Sequence, residues 1–148
     1  MATKAQTPLL PVYLALGTDE LKKRRTVERL DGRLVAAGGD PEFNREELDG
    51  SSSPEPDLLR AMLDTLPFGS DFRLVVFKDV DKAPKAASEA IVSYLENPCP
   101  TTVLMMTACK QARTTRLYKA VAKFGEKAVI DCTPKKRWEL PQQVVGMA

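Results

Sequence analysis

The sequence predicts an α/β domain wound around a parallel sheet. Two observations carry this. Short apolar runs of strand length occur at Val12–Leu16, Arg73–Phe77, Thr102–Thr107 and Ala128–Asp131, and helix-like patterns separate them. The first run is apolar throughout, as expected of a strand covered on both faces. A length of 148 residues suits one domain, and 43% hydrophobic with 28% charged residues is the composition of a folded soluble domain rather than a disordered tail.

The elements follow in order. After the first strand Gly17 turns the chain, and Thr18 or Asp19 can cap a helix whose apolar positions include Leu21, Val27, Leu30 and Leu34. Gly38-Gly39 supplies its left-handed stop. The stretch Pro41–Pro56 is polar and weakly patterned, with room for one short edge strand near Phe43 and a loop over Asp49–Pro54. Ser53-Pro54 then reads as the cap and first turn of a short helix. Its stripe is Leu58, Leu59, Met62, Leu63 and Leu66, and Pro67 prevents its continuation. RLVVF ends at Asp79 and Asp81, the latter placed to cap a helix over Pro84–Glu96 with Ala87, Ile91, Tyr94 and Leu95 on one face. After Asn97-Pro98-Cys99-Pro100 come the strand TVLMMT, a basic helix over Thr115–Phe124 closed by Gly125, and the last strand AVID. Beyond Pro134 the apolar residues Trp138, Leu140, Val144, Val145 and Met147 read as the edge of a domain in a longer protein, or as a tail that folds back.

Composition narrows the chemistry. The chain has no histidine, which removes His-based acid/base catalysis, Ser-His and Cys-His nucleophiles and most zinc sites. Cys99, Cys109 and Cys132 are an odd number without CxxC spacing and read as reduced thiols. No catalysis, metal or cofactor is expected. The longest apolar run, Leu9–Leu16, is eight residues, against the ~20 that cross a bilayer. Met1–Thr7 lacks the features of a signal peptide, so a cytoplasmic protein away from the membrane is expected. The net charge of +2 conceals two lobes: ten acidic and three basic residues over Asp31–Asp71, then nine basic and two acidic over Lys110–Arg137. Such lobes suit docking between several partners, or are solvated faces.

Four candidate sites follow. The turn Gly17-Thr18-Asp19-Glu20 lies where a doubly wound sheet cradles phosphate. Against GxxxxGK[ST] it has one glycine, two carboxylates where phosphates would sit, and is read as lacking the second glycine and the lysine, so no nucleotide binding is expected there. Asp79, Asp81 and Thr107 stand at strand ends where a metal ligand or phosphate sensor could sit, and read as caps and structural groups instead. Arg113, Arg116, Lys119 and Lys123, three or four apart on one helix side, can meet DNA phosphates or an acidic partner, or form a solvated face. The sequence Leu66-Pro67-Phe68-Gly69 places an aromatic on a turn after a proline-stopped helix. Its ring either tucks into the core or stands out as an anchor for a partner.

Taken together, PVYLALGTDEL, TLPFGSDFRLVVFKDVDK, AIVSYLENPCPTTVLMMTA, TTRLYKAVAKFG and KKRWELP, in this order and spacing, resemble the N-terminal domain of the delta subunit of the bacterial DNA polymerase III clamp loader. YLENPCPTTVLMMT is the most specific match, since clamp-loader subunits repeat a helix ending E-x-P before a threonine-led strand. The resemblance implies an AAA+ (P-loop NTPase-like) domain over residues 1–140, a three-layer fold with a five-stranded parallel sheet and a degenerate nucleotide site. Residues 141–148 then begin a linker to lid and collar domains outside this sequence. It also implies a non-catalytic subunit of the polymerase holoenzyme that binds and opens the beta sliding clamp, with other loader subunits and DNA as partners in the assembled complex. The wedge of relatives, two adjacent bulky residues, falls on Phe68 and Gly69, or on Pro67 and Phe68 after a one-residue slip. Only one bulky residue then remains, with Leu66 or Phe72 to assist. Three rivals need features that this sequence is read as lacking: an active NTPase needs the second glycine and lysine of the phosphate loop, a delta-prime-like stator the cysteine module and arginine finger, and a phosphoacceptor domain an acidic pair at the end of the first strand.

Overall fold

A computed structural model describes residues 9–110 and 115–134. Five strands, β1 (Val12–Leu16), β2 (Arg45–Asp49), β3 (Arg73–Lys78), β4 (Thr102–Ala108) and β5 (Val129–Asp131), form one sheet in the order β2-β3-β4-β1-β5. Every pairing is parallel, with Val12 opposite Leu104, Leu14 opposite Val129, Arg45 opposite Leu74 and Arg73 opposite Thr102. The connections are α1 (Glu20–Ala36), α2 (Pro41–Asn44), α3 (Pro56–Leu63), α4 (Lys85–Leu95) and α5 (Arg116–Ala122). This is the expected three-layer architecture.

The period of two along each strand sorts side chains onto two cores. Leu74, Val76, Val103, Met105 and Ala15 face α1, where they meet Val27, Leu30 and Leu34. Val75, Phe77, Leu104, Met106, Val12 and Leu14 face the opposite layer, packed by Leu59 and Leu63 of α3, Ile91 and Tyr94 of α4, and Leu117 and Val121 of α5. One long helix thus covers one face and three short ones the other. Strands covered on both sides explain why β3 and β4 are apolar without alternation.

Several boundaries differ from the sequence reading. Phe43 lies on α2, and the edge strand begins two residues later at Arg45. Asp40 accepts the Glu42 N–H and Pro41 occupies the first turn, so the local capping chemistry favours helix over strand there. The helix expected from Ser53-Pro54 starts instead at Pro56, after Glu55. Asp49 caps a 3₁₀ turn over Gly50–Ser52 whose end leaves Ser53 left-handed at φ 53°, a conformation incompatible with a helix cap. The expected stripe splits: Leu59 and Leu63 are buried, while Leu58 and Leu66 are exposed. Leu21 of α1 is also exposed. Asp81 does not cap α4, since Pro84 stands at that position. Asp81 Oδ2 accepts the Cys109 and Lys110 N–H groups, joining the ends of β3 and β4.

Thr102, the first residue of β4, is 1% exposed and donates its hydroxyl to the Leu63 carbonyl at the end of α3 (3.0 Å). One of the carbonyls that a helix end leaves unpaired is thereby satisfied from the sheet. Thr102→Val is expected to cost about 1–3 kcal/mol, the penalty of an orphaned buried acceptor, measured as a lower denaturant midpoint at unchanged m-value.

Candidate functional site

Because all strands are parallel, the sheet has one edge of strand starts and one of strand ends, and the candidate sites divide between them. The chain between α3 and β3, which holds Leu66–Phe72, lies at the edge of strand starts. Phe68 is 69% exposed there, and Leu66 is equally exposed. The alternative left open by the sequence is thus decided: the ring stands out.

The turn that presents it is held from beneath. Asn44, at the end of α2, is completely buried. Its Oδ1 accepts the Phe68 N–H (2.6 Å), and its Nδ2 donates to the Phe68 carbonyl (2.8 Å) and to the Asp40 carbonyl (3.2 Å). Arg73, 5% exposed, donates to the Phe43 carbonyl (3.1 Å). Gly69 supplies the left-handed step at φ 69°. Ser70 Oγ accepts the Phe72 N–H and donates to its carbonyl. Phe43, 56% exposed, sits with its ring centroid 5.5 Å from that of Phe68, tilted by 57°, an arrangement favoured between aromatic rings. Pro67 is half-buried and Gly69 exposed. Phe72 requires a correction: it is 8% exposed and packed with Leu34 and Leu74 under α1, so it supports the tip from the core and offers no surface to a partner.

The Gly17–Glu20 loop lies at the opposite edge, where strands end. Only Gly17, Thr18 and Asp19 separate β1 from α1, too short a loop for the phosphate cradle. Its backbone is engaged: Gly17 N–H donates to the Ala108 carbonyl and Asp19 N–H to the Cys132 carbonyl, and the Asp19 carboxylate caps α1 through Lys22 N–H. Gly17 has φ 147°, and a Cβ there would lie 2.2 Å from the Cys132 carbonyl carbon. This glycine is demanded by the close passage of the segment leaving β5.

Counted from Gly17, the lysine of the phosphate motif falls on Lys23, so the reading that this lysine is missing is corrected. Its chemistry is nevertheless committed elsewhere. Lys23 is 3% exposed, with Nζ 3.0 Å from Glu20 Oε2 and 3.6 Å from Cys109 Sγ. Burial pulls its ammonium down, but the Glu20 partner and Cys109 outweigh burial and leave its pKa above the ordinary value. A neighbouring cleft of about 370 Å³ carries both signs of charge, including Lys23, Arg45, Lys78, Glu20, Asp31 and Asp79. Two of its cations are paired within the chain, Arg45 with Asp31 at 2.7 Å and Lys78 with Glu47 at 2.9 Å. The hydrogen bond from Lys78, joined by one from Arg45, holds the Glu47 carboxyl below its usual range despite some burial. Asp79 donates its N–H to Thr107 Oγ1 (3.2 Å), a structural link between strand ends.

On the α5 side, Arg116, Lys119 and Lys123 are exposed along a shallow groove of about 250 Å³ shared with Val92, Leu95 and Glu96 of the α4 end. Arg113 lies outside the described residues, as do Trp138 and the 140/141 boundary.

A family model described as DNA polymerase III, delta subunit, matches residues 13–133, which include the tip, the loop between β1 and α1 and all but the first residue of the sheet. The chain belongs to the delta-subunit family. Among solved structures, the Bacillus subtilis DNA clamp loader delta protein (YqeN) superposes with a TM-score of 0.74 at 24% identity, over 94% of this chain and 43% of that one. A Thermotoga maritima DNA polymerase III gamma subunit-related protein gives 0.61 at 17% identity, over 88% and 43%. The Thermotoga maritima RuvB Holliday junction branch migration motor gives 0.60 at 17%, over 97% and 44%. These likenesses show the AAA+ fold. No match was found among curated proteins. The chain spans less than half the length of these solved relatives.

Two residues of this delta-family tip were missed by sequence reasoning. Phe43 was visible as an aromatic in a polar stretch, but nothing local paired it with Phe68. Asn44 carries no sequence signal of burial, since asparagine is mostly exposed in proteins.

Proposed function

We propose that this domain is the clamp-gripping part of a clamp-loader delta subunit. It binds the beta sliding clamp and holds the ring open for loading on primed DNA during bacterial DNA replication, without hydrolysing ATP itself. The observation that carries the reading is the exposed Phe68 ring on a turn fixed by a buried asparagine. An apolar side chain held out by a preorganised backbone spends little ordering entropy when a partner pocket covers it. The engaged Gly17–Asp19 backbone and the committed Lys23 support a subunit whose own loop takes no part in nucleotide chemistry. The other loader subunits contact it through the remainder of the longer protein, DNA enters with the assembled complex, and the basic face of α5 is the part available to DNA or an acidic partner.

A wedge opens a ring only by binding the open interface better than the closed one. Burying one phenylalanine is worth ~1.5–3 kcal/mol, whereas moving a ring from 1% to 99% open requires about 5.5 kcal/mol of differential affinity. Phe68 alone is therefore insufficient, and further contacts at the tip, Leu66 among them, must contribute. The reading is tested with clamp assembled on nicked circular DNA. Adding the domain is expected to release clamp from the DNA faster as its concentration rises. Release unchanged by the domain at saturating concentration would remove opening from the proposal.

A further inference from the structure

Resting on that reading, we infer that the surface entering the clamp is a wedge built from two chain segments, Phe43 of α2 and Phe68 of the turn before β3, with Asn44 as the residue that positions one against the other. Both rings are more than half exposed and lie in contact, 25 residues apart in sequence. Phe43 supplies, from another element, a second exposed ring beside Phe68. Asn44 follows Phe43 directly and grips Phe68 by both its N–H and its carbonyl, so one buried side chain fixes the spacing of the two rings. Arg73 fixes the other strand of the junction through the Phe43 carbonyl. The rim is acidic: Asp40, Glu42 and Asp71, which flank the two aromatics in sequence, are exposed. A partner surface that fits this face offers an apolar pocket with cationic groups at its edge, and steering by such charges weakens with salt.

The test is a double-mutant cycle in binding to the sliding clamp of the same organism, with Phe43→Ala, Phe68→Ala, the double variant and Phe43→Leu, each shown folded and monomeric. Phe43→Ala is expected to weaken binding about tenfold and Phe43→Leu to restore most of it. The double variant is expected to lose at least threefold less affinity than the product of the single losses, as contacting residues do. Asn44→Ala is expected to weaken binding in the parent and to have no further effect in the Phe68→Ala background, which loss of fold would not imitate. Phe43→Ala binding as tightly as the parent, while Phe68→Ala binds weakly, would overturn the two-segment wedge and leave the clamp reading standing. Parent protein that fails to bind clamp would overturn both. Self-association abolished by Phe43→Ala, with clamp affinity unchanged, would also overturn the inference and assign the pair to a second copy.

Discussion

Phe68→Ala is expected to weaken binding of the domain to the sliding clamp by tenfold or more while lowering its thermal midpoint by only a few degrees, for the loss of its contact with the Phe43 ring. The two halves of this expectation have separate physical grounds. The ring is 69% exposed, so its removal leaves no cavity in the core. In the proposed complex the same ring is covered, and the loss of ~1.5–3 kcal/mol of burial corresponds to a factor of about ten or more, since 1.4 kcal/mol is tenfold. The Asn44 hydrogen bonds are to the Phe68 backbone and survive the substitution. Surface-immobilised clamp and a series of domain concentrations measure the effect. Unchanged affinity would shift the principal contact to Leu66.

Gly17→Ala is expected to cost roughly 3 kcal/mol or more, from overpacking together with backbone strain. A methyl group there would lie 2.2 Å from the Cys132 carbonyl carbon and 2.3 Å from its oxygen, and the φ of 147° is one that side chains rarely adopt. For a domain of this size each kcal/mol is worth about 2–4 °C, so the midpoint should fall by roughly 6–12 °C. The loop and the aromatic tip lie at opposite edges of the sheet, so the fraction that remains folded should bind clamp with parental affinity. A variant as stable as the parent would contradict the requirement for glycine at this close approach.

Sequence periodicity located β1, β3, β4 and α4 to within a residue or two because each is strongly patterned and bounded by glycine, proline or a cap. It placed the stretch around β2 poorly. REELD has no alternating apolar face, and this edge strand is fastened by its ladder to β3 and by ion pairs from Arg45 to Asp31, Arg73 to Glu46 and Lys78 to Glu47. Contacts between residues so far apart in sequence leave no local signature. The same limit governs the site. The turn at Leu66–Gly69 was legible from proline and glycine, but whether Phe68 points out was not, because that depends on Asn44, 24 residues away. Lys23 shows the converse: a lysine at the right spacing says little until its salt bridge to Glu20 is visible.

The most direct measurement is calorimetric titration of the domain, without nucleotide, into the sliding clamp of the same organism. The account predicts saturable binding whose affinity is unaltered by ATP and magnesium, because the proposed function gives this subunit no step that uses them. Absence of heat together with absence of co-elution, both proteins being folded, would contradict it.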